Sequence, residues 1–98
     1  MYYIYIIYSK SADRYYIGYS NDTERRLEEH NTKPFNTYTS KHRPWTMKAA
    51  FPVSEDRGQA MKIERYLKRL KSRKIIEQII EFQLDPIKLA QSRFDQNL

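Results

Sequence analysis

Two runs of strand-forming residues, separated by a short polar segment, open the chain and constrain its fold more than any other feature. Residues 2–8 are aromatic or β-branched almost throughout, and residues 15–20 form a second run of the same kind. Such side chains favour extended backbone, and the polar residues 9–14 have the length of a hairpin connection. The sequence therefore predicts a β-hairpin whose first strand is buried on both faces.

Downstream of the hairpin, the sequence predicts a helix, a loop and a third strand. Asn21 is suited to cap a helix, and Glu24 three residues later completes the capping-box spacing. We expect this helix to end near His30, because an Asn-Thr-Lys-Pro stretch follows it. Residues 34–44 have the composition of a loop, and residues 45–53 are expected to form the third strand.

The second half of the chain predicts two helices in succession. Residues 54–56 open a long helix that ends near Lys71, and its core-facing residues recur at helical spacing: Ala60, Ile63, Leu67 and Leu70. Ser72 is placed to cap a shorter helix with an apolar stripe of four isoleucines: Ile75, Ile76, Ile79 and Ile80. The weakly patterned residues 83–98 either begin one more short helix at Asp85 or fray.

The order of these elements indicates an α+β fold, in which a small three-stranded antiparallel sheet is flanked by helices. A chain of 98 residues has room for one domain. We expect that domain to span residues 1–82 and residues 83–98 to form a C-terminal tail. The absence of cysteine excludes disulfides and thiolate metal sites. No stretch reads as a signal peptide or membrane span, so we expect a cytoplasmic protein with no membrane partner.

The charge of the chain favours a polyanionic partner. The 18 lysines and arginines outnumber the 12 acidic residues, which gives a net charge of +6 and a pI near 9.6. Neutralising phosphates releases counterions, so a small basic domain is suited to bind nucleic acid. The alternative is that the charge serves solubility alone.

Five polar residues spread along the chain have spacings that are compatible with one shared cleft. The hairpin returns Tyr16 close to Tyr5, and Arg26 and His30, four residues apart, share one helix face. Glu64 lies on the polar side of the long helix. Hydrolysis of a phosphodiester requires an activated water and compensation of the extra negative charge, and this combination of side chains suits both tasks.

These residues also carry a resemblance to a known family. Tyr3-Ile4-Tyr5 and Tyr16-Ile17-Gly18, followed by Arg26, His30 and the distant Glu64, resemble the GIY-YIG nuclease superfamily, and most closely its compact stand-alone bacterial branch. The likeness covers roughly residues 2–82 and implies the GIY-YIG endonuclease fold. Two departures stand out. Tyr3 replaces the first glycine of the motif, and the asparagine that many members carry after the glutamate helix is absent.

The resemblance implies a role for each of the five residues. Tyr5 is the general base for the attacking water, and because a phenol has a pKa near ~10, a nearby cation such as Arg26 must lower it. Tyr16 and His30 orient the base and the water or relay a proton. Arg26 donates to a phosphate oxygen. Glu64 holds one Mg²⁺ or Mn²⁺, with water and phosphate completing the coordination.

A second group of basic residues is expected to bind the phosphate backbone around the cleft. These candidates are Arg25, Lys41, Arg43, Lys62, Arg65 and Lys68. No segment has the character of a helix that reads base edges, so we expect recognition of backbone and shape.

Each candidate also has a structural interpretation. A strand tyrosine often belongs to the core with its hydroxyl at the rim. Arg26 would pair with a nearby acidic residue, and His30 would complement the C-terminus of its helix. Glu64 has the spacing of an ion pair with Lys68.

Three functions therefore follow from the sequence. The first is a metal-dependent endonuclease acting on DNA, selective for structure rather than sequence, in repair or recombination. The second is a nucleic-acid-binding module on the same scaffold with little or no cleavage, which the missing asparagine favours. The third is an adaptor that docks a larger partner through its C-terminal helix. A protein partner that supplies specificity is compatible with each of them.

Overall fold

The computed structural model describes residues 1–34 and 38–90, and this part of the chain has the predicted α+β architecture. Three strands form one antiparallel sheet in the order β2-β1-β3. The strands are β1 (Tyr2–Ser9), β2 (Arg14–Ser20) and β3 (Trp45–Ser54). The helices are α1 (Thr23–Thr32), α2 (Tyr38–Lys41), α3 (Arg57–Leu70) and α4 (Arg73–Phe82). Residues 86–90 are helical as well.

The predicted hairpin sets the positions of the aromatic residues. β1 is the central strand, which is why four consecutive residues of it, from Ile4 to Ile7, are each at most 1% exposed. Gly18 lies opposite Tyr5, and Tyr16 lies opposite Ile7. Because residues two apart on a strand share a face, Tyr5, Gly18 and Tyr16 all belong to the same side of the sheet.

Each face of the sheet carries its own hydrophobic core. On one face the buried strand residues pack against α3 and α4, and this cluster contains Ile4, Ile6, Ile17, Ala49, Val53, Ala60, Leu67 and Ile79. On the other face Tyr5, Ile7 and Trp45 form a smaller buried cluster, against which Leu27 of α1 packs. The second face therefore holds the tyrosines that the sequence singled out.

The first helix begins one residue later than the capping-box spacing predicts. Asp22, not Asn21, is the N-cap: it has extended backbone, and its carboxylate accepts from the amide of Arg25 at 3.0 Å. The hydroxyl of Ser20 accepts from the Asp22 amide at 3.0 Å, which holds the chain in position for this cap. The choice between two adjacent capping residues depends on that contact with the end of β2.

The expected loop over residues 34–44 contains one turn of helix, α2. Thr39 in this turn is buried, and its carbonyl accepts from the indole nitrogen of Trp45 at 2.7 Å. A helix of four residues is not stable by its own propensity. α2 therefore depends on tertiary contacts, which local composition does not reveal.

The two C-terminal helices agree closely with the apolar pattern. α3 is capped by Asp56, whose carboxylate accepts from the Gly58 amide, and α4 is capped by Ser72 as predicted. Between them, Lys71 has a positive φ of 47°, a left-handed conformation that ends α3. Within the described residues, no helix is both long and apolar enough to cross a membrane.

Candidate active site

Tyr5 passes so close to the neighbouring strand that position 18 must be a glycine. A β-carbon on Gly18 would lie 2.3 Å from the Tyr5 hydroxyl oxygen and 2.4 Å from its Cζ carbon. Both distances are far shorter than van der Waals contact, so no other residue fits without displacing the ring. The Tyr5 ring packs in the smaller core, and Tyr5 and Gly18 both line a surface cleft.

A chain of hydrogen bonds leads from Tyr5 into the interior. The Tyr5 hydroxyl lies 2.7 Å from Nε2 of His30, and Nδ1 of His30 lies 2.9 Å from the hydroxyl of Thr39. His30 is only 3% exposed, because α1 places it against the sheet and α2 covers it. The three side chains thus connect the cleft to a buried imidazole and a buried hydroxyl.

Burial keeps both titratable members of this chain neutral near pH 7. Burial raises the pKa of Tyr5, and the guanidinium of Arg26 opposes that rise without cancelling it. Burial, together with the positive charge of Arg26, lowers the pKa of His30 to about 4. A neutral imidazole has one N–H and one acceptor nitrogen. When Tyr5 donates to Nε2, the Nδ1–H therefore donates to Thr39.

α1 places two arginines and a glutamate at the border of the cleft. The guanidinium groups of Arg25 and Arg26 lie 3.5 Å and 3.4 Å from the carboxylate of Glu29. One carboxylate thus serves two guanidinium groups and leaves donors on both. Arg26 is half-buried and close enough to Tyr5 to influence its pKa. A cation in this place can bind a phosphate oxygen next to the phenol.

α3 contributes the carboxylate. Glu64 is largely buried, with 16% of its side chain exposed, and it lies 3.3 Å from the ammonium of Lys68. This is the ion pair that the i, i+4 spacing predicts. Lys68 also lies over the ring of Tyr16, 4.9 Å from its centroid. Lys68 therefore connects the candidate metal ligand to the second tyrosine.

These groups surround one cavity of about 500 Å³. Of the five predicted catalytic residues, Tyr5, Tyr16, Arg26 and Glu64 line it together. His30 does not reach its surface: it lies behind Tyr5 and borders a smaller cavity of about 170 Å³. The structure therefore brings four residues to the cleft and places the fifth in hydrogen-bond contact with one of them.

The residues at the cleft suit a divalent cation bound chiefly by its substrate. Within residues 1–34 and 38–90, no three acidic or histidine side chains lie close enough together to form a metal site of their own. Mg²⁺ is commonly held by one or two carboxylates, with waters and substrate phosphates as its remaining ligands. The donor set at Glu64 fits that habit.

The six expected nucleic-acid contacts are not grouped in one place. Arg25 and Lys68 line the cleft, whereas Lys62 and Arg65 border a separate depression on the far side of α3. Lys41 is exposed at the end of α2. Arg43 donates to the backbone carbonyls of His30, at 2.6 Å, and Lys33, so its guanidinium is engaged at the C-terminal end of α1.

Three residues at or behind the cleft escaped the sequence analysis as site residues. Glu29 lines the cavity, and its i, i+3 spacing from Arg26 was the available signal. Arg57 lines it as well, and lies two helical turns before Glu64. Thr39 was not predicted as a site residue, because its contact with His30 depends on how α2 folds back.

A three-stranded sheet that presents a tyrosine across a glycine, beside an arginine and a glutamate, is consistent with a catalytic domain of the GIY-YIG type. The chain belongs to the GIY-YIG catalytic domain family, whose model matches residues 1–76. It is also similar to the UPF0213 protein of Bacillus cereus, with 38% identity over 60 residues, which are 61% of this chain and 62% of that relative. The chain thus aligns with less than two thirds of the relative's length. No solved structure matches the chain.

Proposed function

We propose that the protein is a metal-dependent endonuclease that hydrolyses phosphodiester bonds in DNA. The observation that carries this proposal is the convergence of Tyr5, Arg26 and Glu64 on one cavity, with Tyr5 bonded to a buried neutral imidazole. A proton acceptor, a cation and a carboxylate that can hold a metal ion are groups suited to the hydrolysis of a phosphate ester.

In this proposal Tyr5 and His30 share the work of the general base. The raised pKa of Tyr5 leaves it protonated, so it accepts a proton from water only while passing its own to Nε2 of His30. The imidazole is available because its lowered pKa of about 4 keeps it neutral. Nδ1 continues to donate to Thr39 throughout, so the ring does not have to turn.

Arg26 compensates the charge that the attacking oxygen adds to the phosphate. Its guanidinium lies beside the phenol on the cavity wall, where the phosphorane would form. A planar fork of donors suits two phosphate oxygens better than an ammonium does. Tyr16, which packs edge-on against His30 with the ring centroids 5.2 Å apart, fixes the orientation of the imidazole.

Glu64 would hold the metal at the opposite wall. When bound, Mg²⁺ or Mn²⁺ would supply Lewis-acid stabilisation of the phosphate oxygens and of the oxygen that leaves as the P–O bond breaks. In the free protein Lys68 neutralises Glu64, and this pair favours the alternative of a binding module that does not cut. The two functions differ in whether removal of the Glu64 carboxylate abolishes cleavage.

We propose that the protein recognises its DNA substrates by their backbone and shape, and that it acts in repair or recombination. The cleft presents guanidinium and ammonium groups to its ligand, and such groups bind phosphates without reading sequence. The net charge of +6 supports affinity for the backbone. Selectivity among branched, damaged or single-stranded DNA would then follow from the shape of the strand that enters the cleft.

A cleavage assay on labelled single-stranded, duplex, flap and four-way-junction DNA tests the proposal. With Mg²⁺ or Mn²⁺ we expect wild type to cut, and EDTA or the variant Glu64→Gln to abolish cutting while binding persists. Glu81→Gln, which removes an exposed carboxylate from α4, is the matched control. Salt-sensitive binding without cleavage on every substrate would instead establish the binding module.

A further inference from the structure

One end of the cleft is lined by an arginine that has no part in the reaction proposed above. Arg57, Glu64 and Lys68 all line the cavity. They share one face of α3, because seven and eleven residues are close to two and three whole turns. Lys68 and Tyr16 therefore mark one end of the cleft, and Arg57 and Tyr19 mark the other.

The side chain of Arg57 is held in place by a tyrosine. Its Nε donates to the Tyr19 hydroxyl at 3.1 Å, and its guanidinium carbon lies 5.9 Å from the Tyr19 ring centroid. Tyr19 in turn packs against Tyr2, with ring centroids 6.2 Å apart. An arginine fixed in this way loses less conformational entropy when it binds a ligand.

The charge of Arg57 is not compensated by a carboxylate. Arg25 and Arg26 share Glu29, and Lys68 pairs with Glu64. In the described part of the chain, no acidic oxygen forms an ion pair with Arg57, and its side chain donates to the Tyr19 hydroxyl. An arginine whose Nε is bonded to a hydroxyl keeps donors on both terminal nitrogens. Such a group is suited to bind an anion.

We propose that Arg57, supported by Tyr19, forms a subsite for a backbone phosphate next to the one that is cleaved. The inference rests on the proposed function, because it takes the ligand to be a nucleic acid strand. Seven residues of helix separate Arg57 from Glu64 by about 10 Å along the axis, so the two side chains contact different phosphates. The subsite fixes the register of the strand without reading its bases.

Binding of a fluorescein-labelled DNA strand in EDTA, followed by anisotropy over a range of salt concentrations, tests the subsite. We expect Arg57→Met to weaken binding about fivefold and to reduce the slope of log Kd against log salt by about 0.7. Arg57→Lys, which keeps the charge, should restore most of the slope and part of the affinity. Arg69→Met removes the same charge from the far side of α3 and is the matched control.

A scan with single neutral methylphosphonates then locates the phosphate. We expect one position in the strand at which the methylphosphonate weakens wild type but not Arg57→Met. Two results would overturn the subsite. One is an equal loss of DNA affinity in Arg57→Met and Arg69→Met. The other is the absence of any strand position at which the methylphosphonate weakens wild type but not Arg57→Met. Failure of wild type to bind any DNA would instead contradict the proposed function itself. Thermal unfolding followed by circular dichroism checks that Arg57→Met and Arg69→Met are as stable as wild type.

Discussion

At the scale of single residues, the contact between Tyr5 and Gly18 makes the strongest demand on the sequence. The hydroxyl of Tyr5 occupies the space that a β-carbon at position 18 would need. The glycine is therefore required by a side chain from the neighbouring strand and not by its own backbone, since no glycine in the described residues has a positive φ.

Gly18→Ala should accordingly displace Tyr5 and damage both stability and cleavage. Overpacking of this kind costs about 1–3 kcal/mol of unfolding free energy. Gly58→Ala is the matched control: its β-carbon would meet no atom closer than 3.5 Å, and it should stabilise α3 by about 0.5 kcal/mol. Urea unfolding measures both. An alanine at position 18 that leaves stability and cleavage unchanged would refute the packing described here.

The buried imidazole of His30 predicts a specific dependence of stability on pH. Its pKa is about 4 in the folded protein, below the ordinary value of 6.5. Between these values the unfolded chain binds more protons, so stability falls as the pH is lowered through this window. We expect the titration of His30 to lower the free energy of unfolding by about 3 kcal/mol between about pH 7 and pH 4.

Urea unfolding of wild type and His30→Gln over this pH range isolates that contribution. Carboxylates titrate in both proteins, so only the difference between the two curves reports on His30. The difference should change across the window between pH 4 and 6.5 and be constant above it. A difference that does not vary with pH would show that the imidazole is not buried in its neutral form.

At the scale of elements, α3 has two chemically distinct faces. Glu64 and Lys68 border the cleft, whereas Lys62 and Arg65 border a separate depression together with Arg69. The basic composition of this helix therefore does not represent one phosphate-binding surface. Only basic residues on the same face of α3 as Glu64 can reach a DNA strand in the cleft.

The ion pair on α3 predicts competition between Lys68 and the metal. Because the ammonium lies 3.3 Å from the Glu64 carboxylate, Lys68→Met should tighten Mn²⁺ binding by the free protein about threefold. Electron paramagnetic resonance of unbound Mn²⁺ measures the affinity without any cleavage. Arg69→Met, which removes one charge from the other face, should have a smaller effect. Equal affinities for wild type and Lys68→Met would rule out the competition.

The elements show what could be predicted from the sequence and what could not. The hairpin follows from the β-branched and aromatic composition of its strands, and α3 and α4 follow from apolar periodicity, which reflects burial directly. The cap at Asp22 and the single turn α2 depend on contacts with Ser20 and Trp45, which form only when the end of β2 and the start of β3 are in place. The pattern of residue types along the sequence does not predict such contacts.

The same distinction applies to the site. The resemblance to the GIY-YIG superfamily, supported by helical and strand spacing, predicted that Tyr5, Tyr16, Arg26 and Glu64 lie near one another, and these residues line one cavity. The burial of His30 behind Tyr5 and its contact with Thr39 required the three-dimensional arrangement of α1 and α2. Arg57 had a usable signal, its distance of two turns from Glu64, but that signal identifies a cleft residue only once Glu64 itself is placed.

At the scale of the whole molecule, one small sheet carries a hydrophobic core on each face. The larger core, formed with α3 and α4, lies on one face, and the tyrosine that borders the cleft belongs to the smaller core on the other. Cleft substitutions that leave both cores intact should therefore change cleavage without unfolding the protein. Replacing Tyr5 by phenylalanine keeps the ring in the smaller core and removes a single oxygen atom, which makes the central claim testable.

That measurement is single-turnover cleavage by Tyr5→Phe, with Tyr8→Phe as the control. Both variants lose one hydroxyl from β1, but the Tyr8 hydroxyl bonds to Asp13 in the hairpin turn, away from the cleft. If Tyr5 and His30 act together as the general base, Tyr5→Phe should cut about 10²- to 10⁴-fold more slowly with unchanged DNA affinity. Tyr8→Phe should cut at the wild-type rate. Wild-type cleavage by Tyr5→Phe would contradict the account.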